Sequence, residues 1–125
     1  MDQPVSHIDL VPTLLELMGS KAPERLQGRS LVPMMKGGRP AEDYVFVEWN
    51  VGTMQELNAP VRTVISPNGG KLSLFKGDNS QLFNLNEDPG ETKNLFDSGR
   101  HQDVIDRLSE KIRQWQRKTG DTLSL

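Results

Sequence analysis

The chain has 125 residues, of which 34% are hydrophobic and 26% charged, ordinary values for a globular domain. Its formal net charge of −2 argues against nucleic-acid binding, which needs a clustered basic excess. No apolar run approaches the ~18 residues of a membrane span. Cysteine is absent, which excludes disulfide and thiolate chemistry but does not decide the compartment. The first nine residues lack the features of a signal peptide, and we expect the chain to begin inside a larger protein.

The first patterned segment, residues 9–18, predicts a short helix. Asp9 suits the N-cap position, and Pro12 falls in the first turn, where no intrahelical N–H bond is lost. Gly19 suits the position after the helix. The apolar residues at helical spacing form one face: Leu10, Leu14, Leu17 and Met18. A second, shorter helix is predicted within residues 30–36.

The middle of the chain changes to a strand pattern. Residues 44–49 are rich in β-branched and aromatic side chains on both faces, which predicts a strand that is covered on two sides. Further strands are predicted at 61–66, 71–75 and 81–85, separated by turn signals. Their short connections permit antiparallel neighbours but not parallel crossovers, so we expect an antiparallel meander.

Residues 101–118 give the clearest helix pattern. Apolar residues recur there at three- and four-residue steps: Val104, Ile105, Leu108, Ile112 and Trp115. This stripe must pack on the apolar face of the sheet. The predicted fold class is therefore α+β, a sheet of about four antiparallel strands packed by a C-terminal helix and preceded by a helical segment.

No catalytic or metal-binding constellation follows from the residues. His7 and His101 lie far apart, without the spacing of a zinc site or a nearby acidic partner. The acidic residues at 87–91 lack the alternating oxygen spacing of a calcium loop and are better explained by a turn at Asp88-Pro89-Gly90. We therefore predict no catalytic residue and no metal ligand in this chain.

Glu48, Trp49 and Arg62 are the candidates for a ligand-contacting surface. A carboxylate, an indole and a guanidinium at adjacent strand ends favour a polar, anionic or sugar-like ligand. The alternative is a core tryptophan beside a surface ion pair, which needs no ligand.

Four segments in order resemble the C-terminal portion of the type I sulfatases, arylsulfatase-like enzymes of the alkaline-phosphatase-like superfamily. The segments are Val5-Ser-His-Ile-Asp-Leu-Val-Pro-Thr-Leu-Leu-Glu-Leu-Met-Gly19, Gln27-Gly-Arg-Ser-Leu-Val-Pro33, Arg62-Thr-Val, and Leu82-Phe-Asn-Leu-Asn-Glu-Asp-Pro-Gly-Glu-Thr-Lys-Asn-Leu95. Phe83 and Asn84 stand where the family usually has Tyr-Asp, and Lys71 matches the lysine of a family Lys-Tyr pair.

The resemblance implies a domain division and a role. Residues 1–40 are expected to be the tail of the main sulfatase α/β domain, and residues 41–125 the C-terminal subdomain. The family's formylglycine nucleophile and its calcium ligands precede these segments, and the chain has no Ser-x-Pro-x-Arg motif. The chain alone is expected to be inactive, without a cofactor of its own. Glu48, Trp49, Arg62 and Lys71 are the expected residues of the substrate rim.

The expected partners are the N-terminal sulfatase domain and a sulfated carbohydrate or aryl sulfate substrate. Neither nucleic acid nor a membrane is expected. If the N-terminal helix is unpartnered, its exposed apolar face should cause self-association. The parent enzyme is expected in the periplasm or outside the cell. Two alternatives stay open: the tail of a related phosphonate or phosphodiester hydrolase, and a stand-alone carbohydrate- or protein-binding module.

Overall fold

The computed structural model describes residues 3–38, 44–50, 59–77 and 79–125. The chain divides into two compact units, Met1–Asp43 and Tyr44–Leu125. The first contains a 3-10 turn, His7–Asp9, followed by α1 (Leu10–Leu17) and α2 (Val32–Met35). The second contains β1 (Val45–Trp49), β2 (Val61–Ile65), β3 (Gly70–Phe75), β4 (Gln81–Asn84), a 3-10 turn (Phe96–Ser98) and α3 (Gln102–Thr119). The assignment of residues 1–40 to a main α/β domain stays a prediction.

The four strands of the second unit form one antiparallel sheet in the order β1-β2-β3-β4. The turn between β2 and β3 fixes their register, because Ser66 N–H donates to the carbonyl of Gly70 and Gly69 N–H donates to the carbonyl of Ser66. Gly69 has a φ of +78°, and a Cβ there would lie 2.7 Å from the side chain of Asn86, so glycine is favoured at this position. The predicted meander is confirmed.

Helix α3 covers one face of the sheet, which we call the helix face. The fully packed core between them consists of Val64, Leu72, Leu82, Ile105, Leu108 and Ile112. Trp115 extends this contact by stacking on Phe46, with ring centroids 5.5 Å apart and planes 8° from parallel. The predicted stripe of α3 and the α+β fold class are both confirmed.

Strand β1 corrects the prediction of a strand covered on two sides. Val45 is buried, but Val47 and Trp49 are 51% and 52% exposed. The physical reason is that Val47 and Trp49 leave β1 on the face opposite the helix face, where α3 does not cover them. An apolar sequence on both faces of a strand therefore did not indicate burial on both faces.

In the first unit, the prediction that the Asp9 carboxylate caps α1 is wrong. The preceding 3-10 turn runs into the helix, so Asp9 has helical backbone angles and makes no side-chain cap hydrogen bond. Its carboxylate instead accepts from the backbone N–H of Ser6, at 3.1 Å, and of Arg29, at 3.0 Å. The neighbouring Gly28 packs directly on the backbone of Ile8, where a Cβ would lie 1.9 Å from the carbonyl oxygen.

Among the described residues, no helix is both long enough and apolar enough to span a membrane.

Candidate functional site

The polar centre of the second unit is Arg62, which lies on β2 and points to the helix face. Its side chain is 3% exposed, and a buried guanidinium must place its N–H donors on acceptors. Nη1 donates to the carbonyls of Val61 and Trp49, at 3.0 and 3.2 Å, and Nη2 donates to Oδ1 of Asn50, at 2.9 Å. Arg62 thus binds the backbone of Trp49 and the side chain of Asn50 at the end of β1.

The remaining donors of Arg62 go to Asp121, in the segment that follows α3. Nε donates to Oδ2 at 2.7 Å and Nη2 to Oδ1 at 2.9 Å, the two-point geometry in which arginine best binds a carboxylate. Gln116 Nε2 also donates to Asp121 Oδ2, at 2.9 Å, and to the carbonyl of Leu123, at 2.8 Å. We call residues 121–123 the strap, because they connect the end of α3 to β2.

Both charged groups have pKa values that reflect this pairing. The hydrogen bonds from Arg62, supported by Gln116 and the N–H of Leu123, hold the pKa of the Asp121 carboxyl well below its ordinary value. The same bond raises the pKa of Arg62 against the opposing effect of its burial. The pair is therefore ionised at neutral pH, and all five N–H donors of Arg62 have acceptors within the domain.

Glu48 and Trp49 flank Arg62 but leave the sheet on opposite faces. Glu48 pairs with Arg62 across β1 and β2 and lies on the helix face, with Oε2 3.9 Å from Nη2. Trp49 pairs with Val61, so its indole lies on the other face, where it is half-exposed. The interpretation as a core tryptophan beside a surface ion pair is thus corrected in both parts, because the tryptophan is not in the core and the pair of Arg62 with Asp121 is buried. The interpretation as a ligand-contacting surface stays a prediction.

Lys71 lies away from these residues. It pairs with Ile65 on β2, four positions along the strand from Val61, which corresponds to about 13 Å. Its Nζ donates to both carboxylate oxygens of Glu91, at 2.7 and 2.8 Å. The structure therefore brings Glu48, the Trp49 backbone and Arg62 together and places Lys71 elsewhere. The rim role of the four residues stays a prediction.

Sequence reasoning missed Asn50, Gln116 and Asp121. Asp121 is 59 positions from Arg62, and no local pattern marks it as the partner. The one available signal is chemical: a strand residue as costly to bury as arginine requires a carboxylate somewhere in the fold.

The site as described can position groups and contact a ligand, but it supplies no nucleophile with a neighbouring base. Throughout residues 3–38, 44–50, 59–77 and 79–125, no group of three or more His, Asp or Glu side chains is arranged to hold a metal ion. A ligand at the end of β1 would meet Glu48, Trp49 and Asn50, because the donors of Arg62 are already occupied.

Solved structures with the same fold show the class of protein to which this chain is similar. A solved structure described as a 2-O GAG sulfatase superposes with a TM-score of 0.78 over 90% of this chain, at 28% identity, and the match covers 25% of that protein. A phosphonate monoester hydrolase from Silicibacter pomeroyi superposes with a TM-score of 0.74 over 93% of the chain, at 24% identity, which shows the shared fold. The chain has the architecture of the C-terminal portion of a sulfatase of the alkaline-phosphatase-like superfamily.

The chain belongs to the family described as N-sulphoglucosamine sulphohydrolase, C-terminal, which matches residues 1–118. A delta 4,5-hexuronate-2-O-sulfatase from Bacteroides thetaiotaomicron is 30% identical over 111 residues, which are 82% of this chain and 23% of that enzyme. The chain thus spans about a quarter of the length of the relatives it matches. The predicted resemblance to a sulfatase C-terminal portion is confirmed.

Proposed function

We propose that this chain serves as the C-terminal domain of an enzyme that hydrolyses sulfate esters of saccharides, and that it has no catalytic residue of its own. The observation that carries the proposal is the family match over residues 1–118. Relatives whose names specify a saccharide sulfate, such as the hexuronate-2-O-sulfatase, support the substrate class. The formylglycine nucleophile and the calcium site are proposed to lie in the catalytic domain.

The partner in this proposal is the catalytic α/β domain, and α1 offers a surface for it. The exposed side of α1, which we call the apolar stripe, is formed by Leu10, Val11, Leu14, Leu17 and Met18. These residues are between 48% and 70% exposed. An apolar surface of this kind on an ordered helix is typical of an interaction site.

Hydrogen bonds fix the orientation of this stripe. The hydroxyl of Thr13 donates to the carbonyl of Asp9, at 2.6 Å, and accepts from the N–H of Leu31, at 2.9 Å. The Asp9 carboxylate binds the N–H of Arg29 from the same side of the helix. Since Asp9 and Thr13 are buried, the polar side of α1 faces the 29–31 segment and the apolar stripe faces outward.

The activity is tested on the full-length enzyme that carries this chain at its C-terminal end. We expect release of sulfate from sulfated disaccharides and from 4-nitrophenyl sulfate, and no turnover by the isolated chain. Hydrolysis of phenylphosphonate monoesters without sulfate release would assign the chain to the related phosphonate hydrolases instead. Saturable binding of a glycan by the isolated chain would favour a stand-alone binding module.

The docking surface is tested by sedimentation of the isolated chain. With the stripe unpartnered, we expect concentration-dependent self-association through it, which Leu14→Glu abolishes and which the control Glu16→Lys, on the same helix, leaves unchanged. A monomer at all concentrations, with residues 1–40 protected from hydrogen exchange, would contradict this role of the stripe.

A further inference from the structure

One of the two outer strands of the sheet, β4, has its outer edge covered by the chain that follows it. The N–H of Leu82 donates to Oδ1 of Asn94, at 3.0 Å, and the carbonyl of Leu82 accepts from the N–H of Leu95, at 2.8 Å. Two residues further along the same edge, the carbonyl of Asn84 accepts from the N–H of Asp88, at 2.8 Å. A further strand therefore cannot pair with β4 without displacing these bonds.

The other outer strand is β1, which among the described strands pairs with β2 alone. Its register runs one to one from the Val45–Ile65 pair to the Trp49–Val61 pair, so no bulge twists the edge away. The five residues of β1 include neither proline nor lysine, which are common means of keeping an edge strand from pairing with another chain. Of the two outer strands, β1 is therefore the one at which the sheet can be extended.

The sequence of β1 is complementary to a second copy of itself in an antiparallel register centred on Val47. With Val47 opposite Val47 of the second copy, Val45 lies opposite Trp49, and all five residues of the strand are paired. Glu48 then lies opposite Phe46, whereas a register centred on Glu48 would set two carboxylates against each other. Directly opposite residues leave the sheet on the same face, so the exposed side chains of Val47 and Trp49 would pack on those of the second copy.

We propose that β1 is an interaction surface for a second copy of this chain, which pairs with it in antiparallel orientation about Val47. The pairing joins two four-stranded sheets into one continuous sheet. Because the same edge is used by both copies, the arrangement is a closed two-fold dimer, and the strands left at its two ends are the covered β4 strands. Five residues from each copy make a small interface, so the dimer forms in a concentration-dependent way. This inference does not depend on the proposed sulfatase function.

Sedimentation velocity of the 125-residue chain with Leu14→Glu tests the dimer, because that substitution removes association through the apolar stripe. We expect a monomer–dimer equilibrium whose Kd rises at least about tenfold with Val47→Lys, which sets two ammonium groups opposite each other at the centre of the pairing. Gln81→Lys is the matched control, since Gln81 lies in the same row across the sheet, through Thr63 and Ser73, but on the covered strand β4. It adds the same charge and should leave Kd within about twofold.

A mixture of two variants tests the register itself. Val47→Glu in the same Leu14→Glu chain should weaken the dimer as Val47→Lys does, and circular dichroism should show both chains folded, because Val47 is exposed. When the two variants are mixed, opposite charges face each other across the pairing, and mixed dimers should form more tightly than either variant associates alone. A chain with Leu14→Glu that stays monomeric at all concentrations would overturn the proposal. So would an equal Kd for Val47→Lys and Gln81→Lys, or a mixture that associates no better than its components.

Discussion

Removing the carboxylate of Asp121 should destabilise the second unit strongly, because it leaves Arg62 charged and buried. In Asp121→Ala the guanidinium, 3% exposed, keeps two carbonyls and one amide oxygen as acceptors. Among the described residues, the nearest other carboxylate is that of Glu48, which is 3.9 Å away and 52% exposed. Removing one partner of a buried ion pair typically lowers the free energy of unfolding by about 3–5 kcal/mol. We expect about 3 kcal/mol, since Asp121 is 12% exposed and water can reach the vacated position.

Urea denaturation followed by tryptophan fluorescence measures this loss. Trp115 is a suitable reporter because its stacking on Phe46 exists only in the folded unit. With a urea dependence of about 1–3 kcal/mol per molar, the transition midpoint should fall by at least about 1 M.

A double-mutant cycle separates the pair from its surroundings. Arg62→Met and Asp121→Leu should each be strongly destabilising, and the double variant should be more stable than either single variant by about 2 kcal/mol. For the partly exposed pair of Lys71 and Glu91, the same cycle should give a coupling below about 1 kcal/mol. Additive effects of the Arg62 and Asp121 substitutions would refute the reasoning.

Three further predictions concern pH and backbone geometry. The lowered pKa of Asp121 contributes stability that is fully present above the unfolded-state pKa of about 3.9 and is lost as the pH falls through the lower folded-state pKa. Acid denaturation curves of Asp121→Asn should therefore be flatter below about pH 4. Gly28→Ala should destabilise the first unit by at least about 2 kcal/mol in hydrogen exchange, because the Cβ meets the Ile8 backbone, whereas Gly90→Ala should cost less than about 1 kcal/mol. Glu91 has a φ of +54°, so Glu91→Gly should be about 1 kcal/mol more stable than Glu91→Ala in thermal unfolding; equal stabilities would refute the strain.

The parts of the fold that could be predicted from the sequence are those set by local patterns. The stripe of α3 recurs at helical spacing, and the turn at 67–70 joins two strands that could only be antiparallel neighbours. The error at β1 has a physical cause, since the side chains of Val47 and Trp49 are apolar whether or not another element covers them. Burial of a strand face depends on the elements that pack on it, and an isolated strand pattern carries no information about them.

Only some residues of the candidate site could be predicted from the sequence, and none of its long-range connections could. Arg62 and Glu48 were both identified, and their cross-strand pairing follows from the meander. The carboxylate that pairs with Arg62 belongs to Asp121, which follows α3 in the chain. Its position beside Arg62 therefore depends on the folding of the whole second unit. Lys71 and Glu91 both lie in segments that resemble the sulfatases, yet only the folded chain shows that they bind each other.

The two units differ in how far they bury their own apolar side chains, and this difference bears on the proposed partner. The second unit encloses its own core, in which Leu72, Leu108 and Ile112 are fully buried. In the first unit, the Asp9 carboxylate and the Thr13 hydroxyl accept from the N–H groups of Arg29 and Leu31, and these bonds hold α1 with its polar side inward and its apolar stripe outward. Turning the helix to bury the stripe within the unit would break those bonds and leave buried polar groups unpaired. The apolar side of α1 is therefore free to be buried by another domain, which is the role that the catalytic domain has in the proposed enzyme.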